Sequence, residues 1–384
     1  MSSQEALMTD AGAHTAGYPT LAEMIAAHSV PPARIVLVAH VLDTAVPFVR
    51  ALAGAMPVAA VIAVPYSARA DACAQLAEDL TVCVPAGTAE VGTQALRYAA
   101  EGTRGGAERV VIVEVGGYCA HLVDRLADTP GVRGIVEDTK QGHWRYEQRQ
   151  PLLLPVFTIA DSPLKALENS QVGRSIAYSV DHLLRTRFFR LVSEARVGVL
   201  GYGGVGTATA RYLRDHGARV GVYDADQIRM SQAVIDGHEP FARAELLRWA
   251  DVIVGVSGHR SVTADDLDLL RDGAVLASGS SKQVEFDVPG IRRRTELKRE
   301  RDEVAELGVA GRTIFLLNDG RPVNFLHQSI LGNVLDLVYS ELYLCTRELV
   351  RRPCPPGLHR LDPGLQQDLA RRWIHHHGRG GWRE

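Results

Sequence analysis

The stretch that most limits what this chain can fold into is residues 196–224, Arg-Val-Gly-Val-Leu-Gly-Tyr-Gly-Gly-Val-Gly-Thr-Ala-Thr-Ala-Arg-Tyr-Leu-Arg-Asp-His-Gly-Ala-Arg-Val-Gly-Val-Tyr-Asp. It reads as strand, glycine turn, helix, strand and acid. Val197, Val199 and Leu200 form the short apolar run of a buried parallel strand. Gly201, Gly203 and Gly206 fit G-x-G-x-x-G. The first permits a tight turn, the second lets a pyrophosphate approach the backbone, and the third lets helix and strand pack closely. The spacing predicts a helix from Val205 to His216, stopped by Gly217, and a second strand through Val220 and Val222. Asp224 then stands 21 residues beyond Gly203, where an acid binds the ribose hydroxyls of NAD. A carboxylate there repels a 2′-phosphate, which favours NAD over NADP. Arg229, five residues on, weakens that preference.

With 384 residues, the chain is too long for one ordinary core, and two domains are expected. The 42 Lys and Arg against 45 Asp and Glu give no electrostatic reason to expect nucleic acid or an anionic membrane as partner. Charges or glycines interrupt every apolar run, so no membrane span is expected. The opening Met-Ser-Ser-Gln-Glu-Ala lacks a basic region followed by an apolar core, and no signal peptide is read there. The five cysteines are scattered, with no C-x-x-C pair. They imply a reduced, cytoplasmic protein without disulfides.

Strands alternate with helices before the glycine turn as well. Residues 34–40, 58–64, 81–84 and 109–115 read as strands, and 21–28, 44–56, 68–79 and 93–101 as helices. A helical stretch, 173–191, leads into the glycine-turn unit, which continues with strands at 250–256, 274–277 and 313–317 and a helix at 265–271. The fold class is α/β, with two Rossmann-like doubly wound domains. The charged stretch 291–306 reads as a solvated face. An amphipathic helix, 331–347, is a candidate interface, and a helix at 363–373 closes the pattern. His375, His376 and His377 read as a solvated tail, and no metal site is expected.

Several stretches, in order, resemble the S-adenosylhomocysteine hydrolase family. Gly134 to Tyr146 is similar to the family's G-[VI]-S-E-E-T-T-T-G-V-H-x-L-Y, and Ala160 to Gly173 to its N-D-S-x-x-K-x-x-x-D-N-x-Y-G. Ala250 to Val288 follows A-D-[IV]…T-G-N…D-G-A…E-I-D-V. Asp319 to Phe325 resembles E-G-R-L-V-N-L, and Gly357 to Arg371 the late G-V-Y-x-L-P…L-D-E-x-V-A-R. The resemblance implies a tightly held NAD that oxidises a ribose hydroxyl to a ketone; the ketone acidifies the neighbouring proton, a 5′ thiol leaves, water adds, and the reduced cofactor returns the hydride.

The resemblance also assigns residues. Lys165 falls on the family's lysine and is the leading catalytic candidate; Asp138, an acid of shorter reach on the second glutamate of E-E-T-T-T, is a second proton-transfer candidate. Asn169 and His40 are further catalytic candidates. Thr139 falls on a threonine at the nicotinamide end of the cofactor, Asn324 on the asparagine that binds the carboxamide, and Asp224 on the ribose-binding glutamate. Val205 and Ser257 complete the cofactor set with Gly201, Gly203 and Gly206. The NAD-binding domain, 176–325, is expected as an insertion in a substrate domain formed by 1–175 and returned to by 326–384, with ligand between the two. A homodimer or homotetramer is implied.

Substrate-side positions depart from the family. The acids of D-D-G-G-D become Glu114-Val115-Gly116-Gly117-Tyr118, so Val115 replaces the catalytic aspartate. The D-N pair becomes Asn169-Ser170, the histidine of I-G-H-F-D becomes Ser281, and the S-T-Q-D segment becomes Ser67-Ala68-Arg69-Ala70. The G-H-P-S loop is missing, with His327 as a possible substitute for its histidine, and the family's tail is unrecognisable after Gly378. Loss of a proton-transfer group typically lowers a rate about 10²–10⁴-fold. The sequence therefore points to redox-assisted elimination, hydrolysis or oxidation at a hydroxyl of an altered, nucleoside-like or sugar-like small molecule. The alternatives are adenosylhomocysteinase activity by rearranged residues, a non-catalytic NAD-binding paralogue, and a dehydrogenase exchanging free NAD.

Overall fold

The computed structural model describes residues 17–103 and 109–378; the opening sixteen residues, with the Met-Ser-Ser-Gln-Glu-Ala stretch, residues 104–108 and the segment after Gly378 lie outside them. The chain divides into two compact units, one running to Ala166 and resuming at Leu331, the other spanning Leu167–Ile330.

The first unit holds a seven-stranded, all-parallel sheet. Its strands are β1 (Ala33–Ala39), β2 (Val58–Ala63), β3 (Val82–Cys83), β4 (Arg109–Glu114), β5 (Val132–Glu137), β6 (Pro155–Thr158) and, from the returning segment, β15 (Gly357–His359). They lie in the order β3-β2-β1-β4-β5-β6-β15. Successive residues of a strand point to opposite faces. Ile35, Leu37, Val111 and Val113 accordingly join one buried cluster, while Val36, Val38, Val110 and Ile112 join the other. Both faces are covered, which is why these strands are Val- and Ile-rich rather than alternating with polar residues.

The second unit repeats the plan with β7 (Arg196–Leu200), β8 (Arg219–Tyr223), β9 (Glu239–Pro240), β10 (Val252–Gly255), β11 (Ala274–Ser278), β12 (Glu296–Arg301), β13 (Val304–Val309) and β14 (Arg312–Leu317). The order is β9-β8-β7-β10-β11-β14-β13-β12. Strands β7 to β11 and β14 run parallel, and β13 and β12 extend the sheet antiparallel. In each sheet the chain order reverses once, between β1 and β4 and between β7 and β10. The crevice beyond the strands' carboxyl ends at that reversal is where doubly wound folds take ligands.

Three expectations are corrected. The charged stretch 291–306 is not merely a solvated face. It contains a hairpin whose edge strand β12 is exposed throughout and whose partner β13 buries Ala305, Leu307 and Val309. Charges on an exposed edge strand discourage further pairing. The candidate interface helix, observed as Val334–Arg351, has 14 of its 18 residues buried within the first unit, so it is a core element. The histidine run belongs to the helix Pro363–His377. There His376 Nε2 meets Glu23 Oε2 at 2.8 Å and His377 Nε2 meets Asp336 Oδ2 at 2.8 Å. Among the described residues no helix is long and apolar enough to cross a membrane, and all five cysteines are free thiols.

Candidate functional site

At the reversal of the second sheet, β7 ends at Leu200 and the chain turns through Gly201 (φ 106°) into the helix Gly204–Asp215. A Cβ on Gly206 would fall 2.0 Å from the Gly201 carbonyl oxygen, so helix and turn touch only because position 206 is glycine. Gly203 differs: a Cβ there would meet only Arg229 Nη1, at 3.7 Å. The backbone on that side is open for a ligand. A helix N-terminus offers unpaired N–H groups and the positive end of the helix dipole, which together bind phosphate.

Asp224 follows β8 and is nearly buried. Its Oδ2 accepts the Tyr202 N–H at 2.6 Å, and its Oδ1 accepts the Asp226 N–H at 2.8 Å. A cavity of about 390 Å³ opens here, lined by Gly201, Asp224, Arg229, Arg243, Ser257 and Arg260 among others. Ser257 lies in that lining. Its loop is fixed by Glu285, which sequence reasoning missed. Glu285 is wholly buried and accepts from Ser257 Oγ (2.9 Å), the Gly258 N–H (2.6 Å) and Ser280 Oγ (2.5 Å). Burial raises its pKa, and these donors pull it back. The available signal was the acid in the stretch resembling E-I-D-V.

Asn324 lies in the same unit, 3 % exposed. Its Nδ2 donates to Ser329 Oγ at 3.0 Å, while its Oδ1 is buried without a hydrogen-bond partner among the described residues. A buried acceptor left open costs free energy unless a ligand donates to it. Val205 is half-buried in the first turn of the helix after the glycines. Asn169 packs at the same turn, since a Cβ on Gly204 would fall 2.8 Å from its Nδ2. His327 Nδ1 lies 2.9 Å from Ser179 Oγ.

The other candidates lie in the first unit. Lys165 Nζ donates to Asp138 Oδ1 at 2.7 Å, with the two side chains 11 % and 16 % exposed. Asp138 follows β5, and Lys165 lies in the first turn of the helix Pro163–Phe188, which follows β6. Ser162 Oγ accepts from the Leu164 N–H at 3.1 Å at the start of that helix. Behind it lies buried Glu341, bonded by Ser162 Oγ (2.6 Å) and by Gln366 Nε2 (2.8 Å). Burial raises the pKa of Glu341; the Ser162 and Gln366 hydrogen bonds and the Lys165 charge lower it, and Asp138 raises it further. Neither Glu341 nor Gln366 was marked from sequence.

Thr139 caps the helix Lys140–Gln148, accepting the Gly142 N–H at 3.0 Å and donating to Glu137 Oε1 at 2.7 Å. Buried Glu137 also accepts the Gly116 and Gly117 N–H groups, each at 2.8 Å. Its pKa is raised to about 8, first by burial and then by the neighbouring carboxylate of Glu114. Glu114 is itself buried and is bonded by the Tyr146 hydroxyl and by the Cys119 N–H. His40, after β1, has its Nδ1 2.6 Å from Ser67 Oγ. Ser67 Oγ donates to the Val64 carbonyl at 3.1 Å, so His40 Nδ1 carries the hydrogen and donates to Ser67. Of the catalytic candidates, the fold brings Lys165 and Asp138 together. Among the described residues no cluster of three or more His, Cys, Asp or Glu side chains could hold a metal.

The glycine turn, the helix N-terminus, the acid after the second strand and the open acceptor of Asn324 define the second unit as an NAD-binding Rossmann domain. Residues 176–330 match the family model described as S-adenosyl-L-homocysteine hydrolase, NAD binding domain. The second unit is thus similar to the NAD-binding domain of that family. The chain is 30 % identical over 200 residues to the adenosylhomocysteinase of Archaeoglobus fulgidus, covering 51 % of this chain and 49 % of that protein. It is 28 % identical over 246 residues to the S-inosyl-L-homocysteine hydrolase of Methanosarcina mazei, covering 62 % and 59 %. An uncharacterized protein of Mycobacterium tuberculosis is 35 % identical over 237 residues, covering 60 % and 44 %. The matches thus span about half the length of these curated relatives.

Proposed function

We propose that the protein is an NAD-dependent enzyme that oxidises a hydroxyl of a nucleoside-like or sugar-like substrate, with Lys165 and Asp138 handling the hydroxyl proton. The observation that carries this reading is the 2.7 Å contact between Lys165 Nζ and Asp138 Oδ1. The pair is largely sheltered from water and follows the carboxyl ends of two adjacent parallel strands. NAD, when bound, supplies the hydride acceptor. Oxidation breaks one C–H and one O–H bond. The hydride leaves with its electron pair, and the proton needs a base. As the alcohol proton passes to Lys165, a lysine proton passes to Asp138, so the proton comes to rest on the carboxylate. In between, the Lys165 ammonium stabilises the developing alkoxide. Glu341, through Ser162, holds the helix start from which Lys165 projects.

The relatives are named for two different nucleosides, adenosine and inosine, which supports a substrate class defined by the sugar rather than by one base. Val115, in place of an acid, and Ser281, in place of a histidine, support a substrate or later step that differs from S-adenosylhomocysteine hydrolysis.

The test is to add nucleosides, S-adenosylhomocysteine and simple sugars to the NAD-loaded protein and follow absorbance of bound NADH. Reduction by at least one hydroxylated ligand is expected, and Lys165→Ala should lower its rate about 10²-fold or more. If NAD binds and no ligand reduces it, the protein is a non-catalytic NAD-binding paralogue. A thiol-release assay with S-adenosylhomocysteine identifies ordinary hydrolysis, should it occur.

A further inference from the structure

The cofactor cavity carries more positive charge than a ribose with two free hydroxyls requires. Three arginines, Arg229, Arg243 and Arg260, line it against two acids, Asp224 and Asp226. In a doubly wound fold the acid after the second strand binds the ribose hydroxyls and rejects a 2′-phosphate, whereas a nearby arginine accommodates one. Here both devices are present, and their arrangement decides between them.

Each oxygen of Asp224 already accepts a backbone N–H, and only 9 % of its side chain is exposed. Arg229 Nη1 stands 3.6 Å from Asp224 Oδ2, and its Nε stands 3.7 Å from Asp226 Oδ2. The charge of Asp224 is thereby balanced on the side that faces the ligand. Half of the Arg229 side chain remains exposed, and its Nη1 also overlooks Gly203, the open point of the phosphate-binding turn. Arg243, by contrast, is committed to Asp266 (3.0 and 2.5 Å) and to the Ser261 carbonyl (3.2 and 2.8 Å). Arg260 is exposed on the loop after β10. A guanidinium binds phosphate through two parallel N–H groups, which a shielded carboxylate opposes only weakly.

We infer that this cavity accepts a dinucleotide bearing a phosphate on the adenosine ribose as well as NAD, and that Arg229 is the residue that sets this tolerance. The inference rests on the NAD reading of the domain. Titrate NAD⁺ and NADP⁺ into the full chain by calorimetry, with Arg229→Ala and Arg229→Gln in parallel. The native protein should bind NADP⁺ within about tenfold of NAD⁺, and both variants should lose at least about tenfold in NADP⁺ affinity while NAD⁺ changes less than about threefold. NADP⁺ more than about tenfold weaker than NAD⁺ in the native protein overturns the inference, as do equal losses of both cofactors in the variants. Tight NAD⁺ binding in those cases leaves the cofactor reading intact. Binding of neither cofactor overturns both. The native ratio stands whether or not a variant folds.

Discussion

Replacing Asp138 by Asn keeps the shape of the side chain and removes its charge. Lys165 would then hold an ammonium, with 11 % of its side chain exposed, against a neutral amide. Breaking a buried ion pair by removing one partner costs about 3–5 kcal/mol, because the remaining charge stays desolvated. A domain's whole stability is roughly 5–15 kcal/mol, so the effect should be plain. The structure places the single variant at the low end of that range. Burial keeps Glu341 above the usual carboxylate range, and Asp138 adds to that rise. Without Asp138, Glu341 ionises more readily and becomes the counterion of Lys165. Asp138→Asn should therefore cost about 3 kcal/mol, and Asp138→Asn with Glu341→Gln more than the sum of the two single changes. Urea unfolding of the full chain, followed by circular dichroism, reads these values. In a Lys165→Met background, with no cation left to strand, Asp138→Asn should cost nearly nothing. A cost below about 0.5 kcal/mol in both backgrounds would refute the reasoning and make Lys165 an ordinary solvated lysine.

The two glycines of the turn should separate folding from binding. Gly206→Ala places a Cβ 2.0 Å from a backbone oxygen and should destabilise the second unit, lowering the thermal midpoint. Gly203→Ala meets nothing closer than 3.7 Å, so its midpoint should stay close to native while its Kd for NAD rises about tenfold or more; unchanged affinity would remove Gly203 from the phosphate site. The Glu114–Glu137 pair should make stability fall with rising pH. Glu137 is raised to about 8, so between its unfolded value and about 8 the folded state holds a proton that the unfolded state has lost. The stability this contributes is complete at low pH and is lost as pH rises through about 8. His28, His238 and His327 are lowered by burial and act in the opposite sense, but only up to about pH 6.5. The unfolding free energy read from urea titrations should thus drop between about pH 6.5 and about pH 8, by at most about 1.4 kcal/mol per unit, and a flat profile would contradict a proton held on Glu137 in the folded state.

What could be read from sequence depended on whether an element's partners are local. β1, β4 and β7 were legible because sheets covered on both faces demand runs such as Ile-Val-Leu-Val and Val-Val-Ile-Val. β12 and β13 were not, because the charge of Glu296–Arg301 masks the period of the strand beside it. The helix Val334–Arg351 was misjudged for a different reason. Its polar residues suggested a wet face, yet Asp336, Ser340, Glu341, Thr346 and Glu348 are all buried. Asp336 accepts the N–H groups of Thr20 and Leu21, each at 2.9 Å and more than 300 residues away. Ser340 and Thr346 turn back to carbonyls of their own helix. A carboxylate satisfied by a distant backbone looks, in sequence, the same as one satisfied by water. The cofactor turn was legible because its chemistry is local, whereas Glu285 and Glu341 act through residues from other elements.

The substrate-side changes gain meaning from what surrounds them. Glu114 and Glu137, at the ends of neighbouring strands, hold the turn between them. Glu137 binds the N–H groups of Gly116 and Gly117, and Glu114 binds that of Cys119. The backbone of the stretch resembling the family's D-D-G-G-D is thus fixed by residues on either side of position 115. Val115 lies between them, half-buried against the apolar cluster of that face, where the family has its catalytic acid. Drift in an unused site would loosen the buried carboxylates first, since each costs free energy unless fully bonded. Instead Glu114 and Glu137 are hydrogen-bonded and the Lys165–Asp138 pair is formed, while the apolar side chain of Val115 takes no part in those bonds. That pattern supports the proposed reading, in which the site serves a different substrate or step.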